Sequence, residues 1–184
     1  PRGSGALLEE RPRPAEVEES QARRVESGDA RQPEHVAVEG EGSIQGFATD
    51  ISVNHGATVH FKVDTPSSDY RIDIYRLGYY AGLGARKVAT VQPSAALPQA
   101  QPDCLNDSAT GLNDCGNWVE SASWTVPVDA VSGIYIARLV REDASPGESH
   151  MVFIVRDDEG NSPILFQTSD TTWQASNQYG GNSL

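Results

Sequence analysis

The chain has 184 residues, with 14 lysines and arginines against 26 aspartates and glutamates, so its formal net charge at pH 7 is -12. A body with this charge repels nucleic-acid phosphates and anionic lipid headgroups, so we expect neither nucleic acid nor a membrane surface as a partner. No apolar run is long enough to span a membrane, and the length suffices for one domain with its own core and flanking segments.

The N-terminal part of the chain is charged and nearly free of aromatic residues. Residues 1–4 resemble the remnant of a protease-cleavage linker, and we predict that they are a tag scar. Residues 5–35 hold too little apolar surface to offset the entropy of ordering them, so we expect a charged linker with a short helix over 15–26. A docking arm for a partner is the alternative interpretation of this linker.

From residue 36 onward, short β-branched and aromatic runs alternate with turn residues, which is typical of strands. Residues 58–64 and 70–77 alternate with a period of two, so each predicts a strand with one apolar face. In the second strand, Tyr70, Ile72 and Ile74 are expected to point inward. Further strands are predicted at 44–53, 85–91, 118–126, 133–142 and 150–157.

Two of these strands, around 133–140 and 151–155, are apolar on both faces, which indicates central positions in a sheet. About seven short strands without a helical period predict an all-β domain over residues 36–160. We expect an antiparallel β-sandwich of immunoglobulin or fibronectin type. A jelly roll fits the same pattern, and the sequence does not separate the two.

Cys104 and Cys115 are the two cysteines of the chain, and they bracket a polar loop. We predict that they form a disulfide that stabilises the fold by about 3 kcal/mol. Because disulfides persist in oxidising compartments, we expect a secreted or extracellular protein.

Metal-binding patterns are weak in this sequence. Two cysteines are too few for a structural zinc site, and the four histidines are far apart in the sequence. Calcium at the acidic turn 157–161 or in the loop between the cysteines is an alternative, although neither segment matches an EF-hand loop. We therefore predict no metal site. The histidines are His35, His55, His60 and His150, and the loop ligands would be Asp107, Asn113 and Asp114.

The common catalytic motifs are absent: the sequence has no nucleophile elbow, no phosphate-binding loop and no zinc-protease helix. Residues 77–86 contain three glycines and predict a tight turn between strands, in which glycine supplies positive φ angles. The aromatic residues on and near this turn are Tyr75, Tyr79 and Tyr80. They are candidates for binding a surface glycan, with Trp118 or Trp124 as further stacking faces, or for packing against a neighbouring domain.

Beyond residue 161 the sequence departs from the sandwich pattern. A proline precedes the apolar run 164–169, and a polar segment follows it to residue 184. We predict the first strand and loop of a further α/β domain over 161–184, and we expect that domain to continue outside this sequence.

Two segments, residues 70–82 and 165–184, carry a resemblance to a known family. They read YRIDIYRLGYYAG and LFQTSDTTWQASNQYGGNSL. In this order they resemble the N,N-dimethylformamidase large-subunit-like family, and the likeness covers roughly residues 40–184. The resemblance implies a β-sandwich that precedes an amidohydrolase-like α/β domain. It also implies amide C–N hydrolysis at a mononuclear iron held by tyrosines and a glutamate.

The chain departs from the family pattern at Ser176, where relatives have a tyrosine after Trp-Gln-Ala. A serine hydroxyl is a poor ligand for ferric iron, and the resemblance places the other ligands beyond Leu184. We therefore expect no cofactor in this chain and no catalysis by it, with iron belonging to a parent protein. The candidate edge of the parent's site consists of Thr172, Trp173, Asn177 and Tyr179.

These observations favour an accessory β-sandwich domain of an exported dimethylformamidase-like amidohydrolase. We expect it to position the catalytic α/β domain of the same chain without catalysing the reaction. The alternative from another class is an immunoglobulin-like module that binds cell-surface carbohydrate. A third hypothesis makes residues 172–179 the front edge of an active parent enzyme.

Overall fold

A computed structural model describes residues 43–169 together with residues 172 and 176. In this part of the chain no helix is long and apolar enough to cross a membrane. Ten strands form in the described residues, joined by turns and one short 3-10 segment at Tyr80–Gly82. The strands are β1 (Gln45–Ala48), β2 (Ser52–Asn54), β3 (Thr58–Asp64), β4 (Tyr70–Leu77), β5 (Ala85–Val91), β6 (Leu105–Asp107), β7 (Leu112–Asp114), β8 (Ala122–Thr125), β9 (Gly133–Arg141) and β10 (Glu148–Arg156).

The strands form two sheets and a separate hairpin. One sheet has the order β1-β3-β8, the other has the order β2-β10-β9-β4-β5, and β6 pairs with β7. All pairs are antiparallel except β2 with β10, which is parallel. The predicted all-β sandwich is therefore confirmed, whereas its assignment to the immunoglobulin or fibronectin type stays a prediction.

The core lies between the two sheets and follows from the alternation of the strands. Val59, Phe61 and Val63 on β3 are fully buried, as are Tyr70 and Ile72 on β4. Aromatic rings join the sheets, because Phe61 meets Phe153 edge-on with 5.9 Å between ring centres. Tyr135 lies 5.7 Å from the same Phe153 ring. Such ring contacts add to the free energy gained by burying apolar area.

Three predicted strands, 58–64, 70–77 and 85–91, coincide with β3, β4 and β5. The prediction for 44–53 was wrong in one respect, since this segment forms two strands that belong to different sheets. The chain crosses between them at Thr49–Ile51, where the N–H of Thr49 bonds to β3 and the carbonyl of Ile51 bonds to β10.

The predicted strand 118–126 is shorter in the structure, because β8 begins only at Ala122. Trp118 instead packs on the ring of Phe47, and its indole N–H donates to the Pro102 carbonyl at 2.9 Å. The polar loop between the cysteines contains the hairpin of β6 and β7, which was not among the predicted strands.

The strand predicted at 164–169 is not formed, since these residues have no regular structure. A strand needs a neighbour that pairs with its N–H and carbonyl groups, and no described strand pairs with this segment. The domain division at residues 160/161 stays a prediction. The tag scar, the linker and the helix at 15–26 lie outside the described residues.

Candidate functional site

The predicted disulfide between Cys104 and Cys115 is present and closes the hairpin of β6 and β7. The acidic residues of this hairpin bond locally. The Asp107 carboxylate accepts from the Ala109 N–H at 2.9 Å and from the Thr110 hydroxyl at 2.8 Å. Asp114 accepts from the Gly116 N–H at 2.8 Å. These bonds are ordinary turn chemistry and give no support to a calcium site here.

The acidic turn at residues 157–161 and two of the described histidines also pair with neighbouring side chains. His60 lies 2.9 Å from Glu120, and His55 lies 3.5 Å from Asp157. Burial lowers the pKa of His150, and the nearby carboxylate of Glu148 partly offsets this effect. Among the residues that the structure describes, no three His, Cys, Asp or Glu side chains are grouped so that they could hold a metal. The absence of a metal from the chain stays a prediction.

Two of the aromatic residues considered for glycan stacking are used in packing. Trp118 is 5% exposed against Phe47, and Trp124 lies 6.1 Å from Tyr135 inside the sandwich. Stacking on a sugar requires an open ring face, whereas Trp118 is buried and Trp124 packs against the rings of Tyr135 and Phe153. Their proposed role as glycan platforms is therefore not supported.

The tyrosines near the β4–β5 turn are placed differently from one another. Tyr79 is 84% exposed, Tyr80 is half-buried and accepts a hydrogen bond from Arg76 at 2.8 Å, and Tyr75 lies half-buried on β4. The turn was predicted to use glycines with positive φ, and Gly82 and Gly84 do so. Tyr80 and Ala81 also adopt positive φ, at 39° and 56°, and no residue type in the sequence signalled this.

The outer face of the five-stranded sheet carries a group of apolar side chains that the predicted strands did not locate. Ile134 and Ile136 on β9 pair with Ile154 and Val152 on β10, and these four side chains point away from the core and are only half-buried. We call this set the apolar face. An exposed sheet face normally carries polar side chains. The signal was visible, because both strands are apolar at consecutive positions.

The segment after β10 returns across the apolar face. A cavity of about 340 Å³ separates them, and Phe166, Gln167, Thr168 and Ser169 form its outer wall. Ile51, Ile134, Val152, Phe153 and Ile154 line the inner wall. The three residues Ile164, Leu165 and Phe166 remain largely exposed.

The other half of the outer surface of the five-stranded sheet carries charged side chains, which pair with one another. Asp73 lies 2.6 Å from Lys87 and accepts from the Thr90 hydroxyl at 2.9 Å and from Arg71 at 3.1 Å. Burial raises the pKa of Asp73, but these bonds outweigh it and hold the pKa below its usual value. Arg138 pairs with Glu148 beside them. These charges limit the apolar face to the half of the sheet near the start of β9.

The predicted edge of the parent's site is only partly described. Thr172 and Ser176 are exposed, and the Ser176 N–H donates to the Thr172 carbonyl at 3.0 Å. Trp173, Asn177 and Tyr179 lie outside the described residues. An exposed serine hydroxyl does not fit an iron centre, so we derive no catalytic step through iron.

A family model described as N,N-dimethylformamidase beta subunit-like, C-terminal matches residues 71–184, which is more than half of the chain. The match begins inside β4 and runs through both segments that carry the resemblance. No curated protein matches the chain.

Proposed function

Because the chain belongs to the N,N-dimethylformamidase beta subunit-like C-terminal family, we propose that its sandwich is an accessory domain that positions the catalytic domain of an amidohydrolase. In this proposal the sandwich does not catalyse the reaction. The matched family is named for the beta subunit, and we infer that this is the large subunit to which the sequence resemblance pointed.

The observation that carries the proposal is the apolar face under the returning segment. Four half-buried aliphatic side chains, of Ile134, Ile136, Val152 and Ile154, point outward on two adjacent strands. An antiparallel sheet that faces water on one side is expected to alternate between apolar and polar side chains. Contiguous apolar surface on a folded domain marks a contact with another protein body.

The chain continues toward that body along the same surface. Residues 166–169 lie over the apolar face, and they belong to the segment 161–184 that is predicted to open the catalytic domain. The sandwich and that segment belong to one family match, which supports their acting together. The catalytic domain of the same protein is therefore the proposed partner.

A non-catalytic role is supported by the pairing of the charged side chains near this face. Asp73 is engaged by Lys87 and Arg71, and Arg138 is engaged by Glu148. A general acid or base works best when its pKa lies near the working pH, and the pKa of Asp73 is held below its usual value, far from neutrality. The amide hydrolysis and the iron implied by the family belong, in this proposal, to the parent protein. The disulfide supports the further proposal that this protein is exported, since disulfides persist in oxidising compartments.

The first test measures amide hydrolysis directly. The purified 184-residue chain, incubated with N,N-dimethylformamide, is expected to release no dimethylamine above the buffer control, with or without added iron. Release that depends on the chain would contradict the non-catalytic role.

The second test addresses the positioning role in the whole protein. Ile136→Lys places a charge on the apolar face, and Ser123→Lys places the same charge on the exposed surface of β8 as a matched control. We expect only Ile136→Lys to lower amide hydrolysis and the melting temperature of the whole protein. Equal effects of the two variants would remove the support for docking at this face.

A further inference from the structure

The loop between β4 and β5, residues 78–84, lies at the end of the sandwich from which the chain departs. Arg76 near the end of β4 pairs with Tyr135 near the start of β9, and Ile134 pairs with Ile154 near the end of β10. The β4–β5 loop, the connection that enters β9 and the segment that follows β10 therefore share one end. We call it the exit end and define it as residues 78–84, 127–132 and 157–169.

Exposed apolar side chains concentrate at the exit end. In the part of the chain that the structure describes, twelve large hydrophobic side chains are exposed; four of them lie on the two loops of the exit end and three on the segment that leaves it. Single exposed hydrophobic residues are normal on a protein surface, but a concentration at one end indicates a contact. The seven are Tyr79, Leu83, Val128, Val131, Ile164, Leu165 and Phe166.

The β4–β5 loop is held in an unusual backbone shape. Tyr80 and Ala81 have positive φ, which costs free energy for residues with a Cβ atom. The side chain of Arg76 stabilises this loop conformation. Its guanidinium donates to the Tyr80 hydroxyl at 2.8 Å and to the Ser132 carbonyl at 2.8 Å, so that it joins the loop to the connection entering β9.

The result is a braced loop whose two apolar side chains point into solvent. Tyr79 is 84% exposed and Leu83 is 59% exposed. An aromatic side chain on a backbone that is already held in place is a typical anchor of protein interfaces, because the backbone loses little conformational entropy on binding. Contacts within the described sandwich do not explain why a loop held in this shape carries an exposed tyrosine.

We propose that the β4–β5 loop is a second, pre-formed contact between the sandwich and the catalytic domain, with Tyr79 as the aromatic anchor. This inference rests on the proposed function. The occupant follows from the course of the chain: β10 ends at the exit end, and residues 157–169 continue from there across the apolar face. The proposed occupant is therefore the catalytic domain, whose predicted opening segment, residues 161–184, follows β10 at the end of the sandwich where Tyr79 and Leu83 are exposed.

Hydrogen exchange tests the contact by comparing the 184-residue chain with the whole protein. We expect the backbone amides of residues 78–84 to exchange about tenfold more slowly in the whole protein. Tyr79→Ala and Leu83→Ala should abolish this slowing. Leu112→Ala, which removes a leucine that is 60% exposed on the β6–β7 hairpin, is the matched control and should leave it unchanged.

The same measurement separates this inference from the proposed function. Slower exchange in β9 and β10 of the whole protein, without any slowing at residues 78–84, would keep docking at the apolar face and overturn the loop contact. Unchanged exchange in both regions would overturn both proposals. Slowing at residues 78–84 that persists in Tyr79→Ala and Leu83→Ala would overturn the role of these side chains as anchors.

Discussion

Asp73 and Lys87 form an ion pair of 2.6 Å on the outer face of the five-stranded sheet, yet Asp73 is only 2% exposed. The alternation of β4 points Asp73 away from the core, as the sequence predicted. Its burial comes from the side chains of Lys87, Thr90 and Arg71, which lie over it and bond to both carboxylate oxygens. A carboxylate can be buried at this position because its charge is compensated at short range.

Removal of this charge is expected to destabilise the sandwich. Asp73→Asn removes the carboxylate that Lys87 and Arg71 share, so that Lys87 loses this partner and Arg71 keeps only Glu142. We expect a loss of about 2 kcal/mol in the free energy of unfolding. Urea titration at pH 7 measures it. Asp129→Asn, at an exposed turn, is the control and should change the unfolding midpoint little. An equally small effect at Asp73 would show that the ion pair contributes nothing net.

The unfolding free energy is expected to fall in acid. Burial raises the pKa of Asp73, but its three hydrogen-bonding partners outweigh that effect, and the bond from Arg141 holds the pKa of Asp143 far below its usual value. A carboxylate with a lower pKa in the folded state stabilises it above the unfolded pKa, near 3.8, and this contribution is lost as the pH falls through the folded pKa.

Urea midpoints measured between pH 7 and pH 2 test this dependence. The midpoint should change little down to about pH 5 and then decline below about pH 4. The Asp73→Asn variant should decline less steeply than the original chain, because one of the carboxylates with a lowered pKa is missing. Parallel curves for the two proteins would contradict the assignment to Asp73.

Gly46 on β1 has no room for a side chain. A Cβ atom there would lie 2.5 Å from the Lys62 carbonyl oxygen and 3.2 Å from the sulfur of Met151. Gly46→Ala should therefore force the three-stranded sheet to shift and lower the free energy of unfolding by about 1–3 kcal/mol. In Gly116→Ala, the new Cβ would meet only the side chain of Asp114 at 3.0 Å, so this control should cost less. Equal losses would contradict the steric argument.

The disulfide should stabilise the chain by restricting the unfolded state. The double variant Cys104→Ser/Cys115→Ser is expected to lose up to about 3 kcal/mol in urea unfolding under oxidising conditions. Reduction of the original chain should produce the same midpoint as the double variant. If neither treatment moves the midpoint, the hairpin of β6 and β7 unfolds independently of the sandwich.

The strands with one solvent-exposed face were predictable because their pattern is local. In β3, the alternation of Val59, Phe61 and Val63 with polar residues requires only that one side of the strand be buried. The same reasoning placed β4 and β5 within their observed bounds. It failed at 44–53, since the change from one sheet to the other depends on β3 and β10, which are distant in sequence.

The candidate site was less accessible to sequence reasoning. The disulfide followed from the presence of two cysteines, and the glycine turn followed from the positive φ that Gly82 and Gly84 supply. The apolar face did not follow, because it arises from the pairing of β9 with β10. Apolar residues at consecutive positions predicted a central strand, but they did not show which side would remain uncovered.

By itself, the sequence determined the class of the fold, the inward faces of the strands, the disulfide and the family, because each depends on residue type and short-range spacing. Only the tertiary structure decided which strands are neighbours, that Asp73 is buried on an outward position, and that Tyr79 and the segment after β10 share one end. These features depend on the packing of distant segments, which forms when burial of the common core outweighs the entropy lost in bringing those segments together.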